Sequence, residues 1–247
     1  MAVFYPMHER FGRVHAYLLD DGHGLTLVDG LGNRYAKMIF QELERIGRRP
    51  AEIRRIVLTH AHPTHVNGAS VVKRVSGARV FAPVEEREIA EGRQPSGMTT
   101  WIPQRPYRVL LQQFLLNLSH VLWRLGWKVE VLNAVPVVVD HPIVADDEQI
   151  GPLVVIKTPG HSPGSTSYYW PETEVLFAGD AVVTWPRFEL GWKGLSENVP
   201  ENVRSVQSLV DKFEAREWRI RTIATGHGPP RRTDDGIRDL KELLARA

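Results

Sequence analysis

The chain has 247 residues, enough for one sizeable core, with 43% hydrophobic and 24% charged residues and a formal net charge of +2 that counts ten histidines as neutral. So small a charge excess argues against a nucleic-acid or anionic-membrane partner, and the absence of cysteine excludes disulfides and thiolate ligands, so any metal must be held by nitrogen and oxygen. Residues Met1 to Arg10 contain no long apolar run, and no stretch reaches the ~18 uninterrupted apolar residues of a membrane span, so the expectation is a cytoplasmic protein.

Apolar runs from Val14 to Leu19 and from Leu25 to Val28 flank Asp20-Asp21-Gly22-His23-Gly24 and read as a hairpin. Asp29-Gly30-Leu31-Gly32-Asn33 then breaks the strand. Met38, Ile39, Leu43 and Ile46 fall at helical spacing over about Arg34 to Ile46, with Gly47 as the stop. Ile53 to Leu58 reads as a buried strand, Val66 to Val75 as a helix, Ala78 to Ala82 as a strand and Val84 to Glu91 as a short helix.

The segment 92–134 differs in character. Pro95, Pro103 and Pro106 break its first part, after which Leu110, Leu111, Phe114, Leu115, Leu118, Val121, Leu122 and Leu125 share one broad face of a helix from Tyr107 to Leu125. A face this apolar must be covered, either as a cap over a site or by its equivalent in a homodimer. The cap is favoured, because insertions on rigid scaffolds commonly carry selectivity. Further on, Gln149 to Lys157, Thr166 to Trp170 and Val175 to Ala178 read as antiparallel strands. Asn198 to Phe213 reads as a helix, Ile220 to Thr225 as a strand and Thr233 to Ala245 as a closing helix. Two halves of alternating strands and helices would bury these runs as sheets stacked face to face with helices outside.

The chemistry concentrates in Leu58-Thr59-His60-Ala61-His62-Pro63-Thr64-His65, where a strand delivers three imidazoles, the commonest protein ligand for zinc and one suited to iron. Three histidines could be a polar surface loop. Against that, Thr158-Pro159-Gly160-His161, Phe177-Ala178-Gly179-Asp180 and Thr225-Gly226-His227-Gly228 each follow a strand-like run and end in a ligand type beside glycine. Trp185, Phe188, Trp192 and Trp101 could wall an apolar pocket or simply pack. His8, His15, His23 and His141 show no partner spacing, and His120 sits on a solvated stripe.

The order His-x-His-x-x-His, His161, Asp180, His227 resembles the metallo-β-lactamase superfamily, from about Tyr17 to the C-terminus. The resemblance implies an α/β fold, the four-layer αββα sandwich, as a single domain over 1–247 with a helical cap insertion at about 92–134. It places His60, His62 and His161 in a first metal site, His65 and His227 in a second, and Asp180 between them, with Zn2+ the expected ion and Fe or Mn as alternatives. The family motif is His-x-His-x-Asp-His, and Thr64 stands at the aspartate. Threonine is neutral, a poor ligand and unable to titrate near pH 7, so the second site should bind its ion more weakly and proton transfer to a leaving group should suffer. Asp180 and Thr64 are therefore the catalytic candidates. The implied activity is hydrolysis of an ester, lactone or thioester in a small-molecule substrate by a metal-activated hydroxide, in preference to a β-lactam amide. A mononuclear iron thiol dioxygenase and a catalytically impaired metal-binding pseudoenzyme are the alternatives.

Overall fold

The apolar runs of the first half become strands that add to one sheet in chain order. The computed structural model describes residues 2–9, 13–95, 135–192 and 195–247. In it β1 (Val3–His8), β2 (His15–Asp20), β3 (Leu25–Val28), β4 (Ile53–Val57), β5 (Arg79–Pro83) and β6 (His141–Ile143) lie side by side in that order. The first three are antiparallel and the rest parallel, so β3, β4 and β5 need helical crossovers. Helices α1 (Ala36–Arg45) and α2 (Pro63–Ser76) supply them.

The second half repeats the plan. Strands β7 (Gln149–Ile150), β8 (Leu153–Lys157), β9 (Thr166–Trp170), β10 (Val175–Gly179), β11 (Thr222–Thr225) and β12 (Arg231–Arg232) form a second sheet, again in chain order. The parallel pair β10 and β11 is spanned by the helix Val199–Ala215, and Gly236–Leu244 closes the chain. Asn198 and Asp235 cap these two helices by accepting from Glu201 N–H and Arg238 N–H.

Period-two alternation explains why the strands are apolar on both faces. Tyr17, Leu19, Val28, Val57 and Phe81 meet Val155, Tyr168, Trp170, Val175 and Phe177 in one cluster between the sheets. Their neighbours Leu18, Leu27, Ile56 and Val80 point the other way and pack under α1 and α2 with Ile39, Leu43, Val66 and Val72. Tyr169, Leu176 and Ile223 likewise pack under Val206, Val210, Phe213 and Leu240. Helix, sheet, sheet and helix are thus joined by three apolar layers.

The structure revises some boundaries. Gln149 to Lys157 is two strands: Gly151, at φ +59, reverses the chain so that Ile150 pairs with Leu153. The helix after the histidine run starts at Pro63, three residues before the expected Val66, because proline's fixed φ suits the first helical position. His65 is therefore held in a helical turn. Strands β1, β6 and β12 escaped the pattern reading, being short or interrupted by proline. The expected cap helix Tyr107 to Leu125, and Trp101, lie outside the described residues. Among the described residues no helix is long and apolar enough to cross a membrane.

Helix α2 docks against the turn after β3 with no room for a side chain. Gly30 N–H donates to His65 O at 2.6 Å and Gly68 N–H to Leu31 O at 2.8 Å. A Cβ on Gly68 would lie 2.0 Å from Gly30 O, a contact that only backbone movement could relieve. We expect Gly68→Ala to cost about 3 kcal/mol of stability, the upper range for overpacking. A shift under about 1 kcal/mol in urea unfolding would show that α2 is not fixed by this contact.

Candidate metal centre

Each candidate ligand stands where a strand ends. Leu58 leaves β4 with its N–H on Phe81 O (2.9 Å) and its carbonyl taking the Tyr168 hydroxyl (2.6 Å). His60 and His62 follow, and the His62 carbonyl receives the N–H groups of His65 (2.9 Å) and Val66 (3.0 Å) as α2 starts. His161 follows β8, Asp180 follows β10 and His227 follows β11.

The structure brings all six side chains together. Asp180 Oδ2 lies 3.3 Å from Nε2 of both His161 and His227, 3.7 Å from His65 Nε2 and 3.9 Å from His60 Nε2. His62 Nδ1 is 3.0 Å from His161 Nε2, and His65 Nε2 is 3.4 Å from His227 Nε2. Two nitrogens about 2.1 Å from one tetrahedral ion would stand roughly 3.4 Å apart, so these spacings suit shared ions. Two overlapping sets, His60 with His62 and His161, and His60 with His65 and Asp180, bring their ligand atoms within 4.8 Å of one another. His60 Nε2 and Asp180 Oδ1 are buried without hydrogen-bond partners among the described residues, as expected of donors kept for a cation.

Outer hydrogen bonds decide which nitrogens are bare. Thr59 donates its hydroxyl to Asp29 Oδ2 (2.9 Å), which leaves Thr59 Oγ1 to accept from His60 Nδ1 (2.9 Å). His65 donates Nδ1–H to the same Asp29 oxygen at 3.0 Å. Ser196 donates to Trp192 O and faces His161 Nδ1 at 3.4 Å. In all three histidines Nε2 is turned inward with its lone pair, the arrangement that second-shell partners impose on metal-binding imidazoles.

Electrostatics keep most of the ring neutral. Burial, then the neighbouring imidazoles, hold His60 and His62 well below the ordinary histidine range. Burial takes His161 down to about 4. His65 goes the other way: burial opposes its charge, but Asp180 and the hydrogen bond to Asp29 outweigh it. Burial also opposes charge on Asp180, yet His227, His65 and His161 hold it well below the carboxylate range. Neutral His60, His62 and His161 beside an ionised Asp180 are the protonation states that metal binding requires, and His65 would give up its proton on binding.

A second buried carboxylate ties the two halves of the site. Glu86 accepts from Ala61 N–H at 3.0 Å through Oε2, and from Ser162 Oγ at 2.7 Å and Gly164 N–H at 2.9 Å through Oε1. It thereby fixes the His60–His62 loop relative to the His161 loop. Asp29, Thr59 and Glu86 all escaped the sequence reading. Asp29 carried a usable sign, an apolar strand ending in an acid beside glycine, the same pattern that marks Asp180. Glu86, in a helical turn, carried none.

The remaining candidates are placed unevenly. Thr64 is half-buried in the first turn of α2, between Pro63 and His65. Trp192 lies against His227, with ring centroids 4.2 Å apart, and is held by its own Nε1–H on Trp185 O (2.9 Å) and by the Trp185 ring at 5.5 Å. Phe188 sits with the helix layer instead, packed on the cluster around Leu240 with the Arg231 guanidinium 4.7 Å over its ring.

Asp29→Asn removes the charge that orients His65 and, through Thr59, His60. Metal affinity should fall about 10- to 100-fold in chelator competition, and an unchanged affinity would refute the orienting role. Glu86→Leu strands two backbone N–H groups and a hydroxyl, so a loss of about 3 kcal/mol is expected in urea unfolding.

The sequence profile described as "Metallo-beta-lactamase superfamily" matches residues 10–242. A probable metallo-hydrolase, YybB, from Bacillus subtilis is 27% identical over 87% of this chain and 80% of its own length. A hydroxyacylglutathione hydrolase from Pseudomonas aeruginosa is 30% identical over 59% of this chain and 37% of its own. Among solved structures, the metallo-beta-lactamase family protein TTHA1429 from Thermus thermophilus superposes with a TM-score of 0.65 at 27% identity, covering 100% of this chain and 78% of that one. With the two stacked sheets and the ligand cluster at their rim, this match establishes that the chain belongs to the metallo-β-lactamase superfamily of metal-dependent hydrolases.

Proposed function

We propose that this chain hydrolyses an ester, lactone or thioester, with His60, His62 and His161 forming one metal position, His65 and His227 the other, and Asp180 shared between them. The carrying observation is one carboxylate oxygen within 3.3 to 3.9 Å of four imidazole nitrogens. Zn2+ is the ion we assign, since an all-nitrogen and oxygen set without cysteine suits it, with Fe and Mn as the alternatives to test. A divalent ion held there would supply hydroxide at neutral pH and would polarise a carbonyl oxygen.

The chain's own residues shape that chemistry. Asp180 stays ionised and holds its place between the imidazoles. Thr64 can exchange a hydrogen bond but cannot carry a proton to a leaving group near pH 7. That favours thiolates and activated alkoxides, which leave without protonation, over amides. Similarity to a hydroxyacylglutathione hydrolase adds weight to the thioester arm. Trp192, with Trp185 behind it, offers an apolar wall beside His227 for the acyl or leaving group.

The test is a screen of chromogenic thioesters, lactones, esters and amides with Zn2+, Mn2+ or Fe2+ added back, alongside His161→Ala. We expect zinc-dependent turnover of thioesters or lactones well above amides, lost in His161→Ala together with the tighter metal equivalent. Full metal occupancy without turnover of any of them would overturn the hydrolase reading, and iron-dependent oxygen uptake with a thiol would replace it by the dioxygenase. Because Thr64 adds no charge, one equivalent should survive dialysis against a mild chelator and the second should not. Thr64→Asp should retain the second about tenfold more tightly, the scale of one outer or inner carboxylate.

A further inference from the structure

Glu9 is an acidic side chain that the fold buries. It is 3% exposed, and its Oε2 has no hydrogen-bond partner among the described residues. A buried carboxylate with an unpartnered oxygen is costly to ionise unless its surroundings offer positive charge. Its position says where that charge would be.

On one side the β1–β2 hairpin end is stitched to the His227 loop. Glu9 N–H donates to Val14 O at 3.0 Å, Val14 pairs antiparallel with His227, His15 N–H donates to Gly226 O at 2.8 Å and Gly228 N–H to Arg13 O at 3.0 Å. On the other side the carboxylate abuts the turn that holds α2: a Cβ on Gly32 would lie 3.4 Å from Glu9 Oε2, and two residues earlier Gly30 N–H donates to His65 O. Glu9 is therefore wedged between the supports of His65 and His227. Both imidazoles and Arg34 act on it electrostatically, though burial outweighs them and pushes the carboxyl up to about 7.

Those two imidazoles form the position at which Thr64 replaces an acid. We propose that Glu9 supplies the His65–His227 metal position with the carboxylate charge that residue 64 lacks. In this role Glu9 is an outer carboxylate, compensating the ion's charge from behind the supports of His65 and His227 without joining the inner set. This inference rests on the two-position reading above.

The experiment is a Zn2+ titration by calorimetry and chelator competition on wild type, Glu9→Gln, Glu9→Asp and the double variant Thr64→Asp/Glu9→Gln, each checked for fold by circular dichroism. Glu9→Gln should weaken the second equivalent about tenfold or more while leaving the first unchanged, and the double variant should recover it. With Thr64→Asp measured alone beside it, the readout is the coupling: Glu9→Gln should cost the second equivalent less in the Thr64→Asp background than in wild type, which a merely structural role would not give. Glu9→Asp keeps the charge and should hold the second ion within tenfold of wild type. It decides the matter if the glutamine variant does not fold, since a larger loss there overturns the proposal. A second equivalent unchanged in Glu9→Gln, or weakened equally in wild type and in the Thr64→Asp background, overturns the role of Glu9 and leaves the two-position reading standing. A wild type that takes up a single ion overturns both.

Discussion

One oxygen of Asp180 is shared by four histidines, and the rest of the molecule is arranged so that it can be. Four imidazoles drawn from water into one buried cluster would repel one another if charged and would lack partners if neutral. The ionised carboxylate resolves part of that conflict, and a bound cation would resolve the remainder by taking up the inward lone pairs. Close approach is a condition of the arrangement: a Cβ on Gly226 would stand 2.1 Å from Asp180 Oδ1, so the last turn before His227 must be glycine.

Holding ligands from both sheets at this spacing requires the sheets to be registered at their rim. Reciprocal hydrogen bonds do this. Tyr17 of the first sheet donates to Thr225 O in the second at 2.7 Å, and Tyr168 of the second donates to Leu58 O at the end of β4 at 2.6 Å. Thr166 N–H adds a backbone link to Thr59 O at 2.9 Å. Each such bond contributes only about 1 kcal/mol net, but breaking one strands a buried polar group at about 1–3 kcal/mol. Slippage between sheets is therefore penalised several times over, close to the ligands. Asp29 and Glu86 extend the same logic outward, since each converts a flexible loop into a fixed support by taking more than one donor.

Much of this was readable in the chain. Continuous apolar strands such as Leu25 to Val28 announced burial on both faces, and the turns carrying His60, His62, His161, Asp180 and His227 each followed such a run. What could not be read were groups whose meaning is purely tertiary. Glu86 accepts from residues 25, 76 and 78 positions away, and no periodicity encodes that. Glu9 looks like an ordinary surface acid until the His227 loop closes over its hairpin. For Phe188 nearness in sequence to Asp180 left pocket wall and ordinary packing both open, and the strand-like pairing of Val183 with Glu189 carries it into the helix layer. The split of β7 from β8 turned on the single residue Gly151, inside a run whose composition otherwise favours one strand.

The two halves of the ligand ring are electrostatically unlike, and the difference bears on what the missing acid at position 64 means. Burial drives His60, His62 and His161 toward neutrality although Asp180 opposes it in each, whereas His65, which Asp180 and its hydrogen-bonded Asp29 both support, is drawn upward. The His65 side is thus the more negative environment even with threonine in the motif. Negative charge there comes from behind the imidazole, through Asp29, as well as from the shared Asp180. A cation at that side would be stabilised by a field built from several chain segments, none of which depends on residue 64. Threonine in place of aspartate then removes an inner ligand and a proton carrier, so an ion on that side is held more weakly than its neighbour while part of the attraction for it remains.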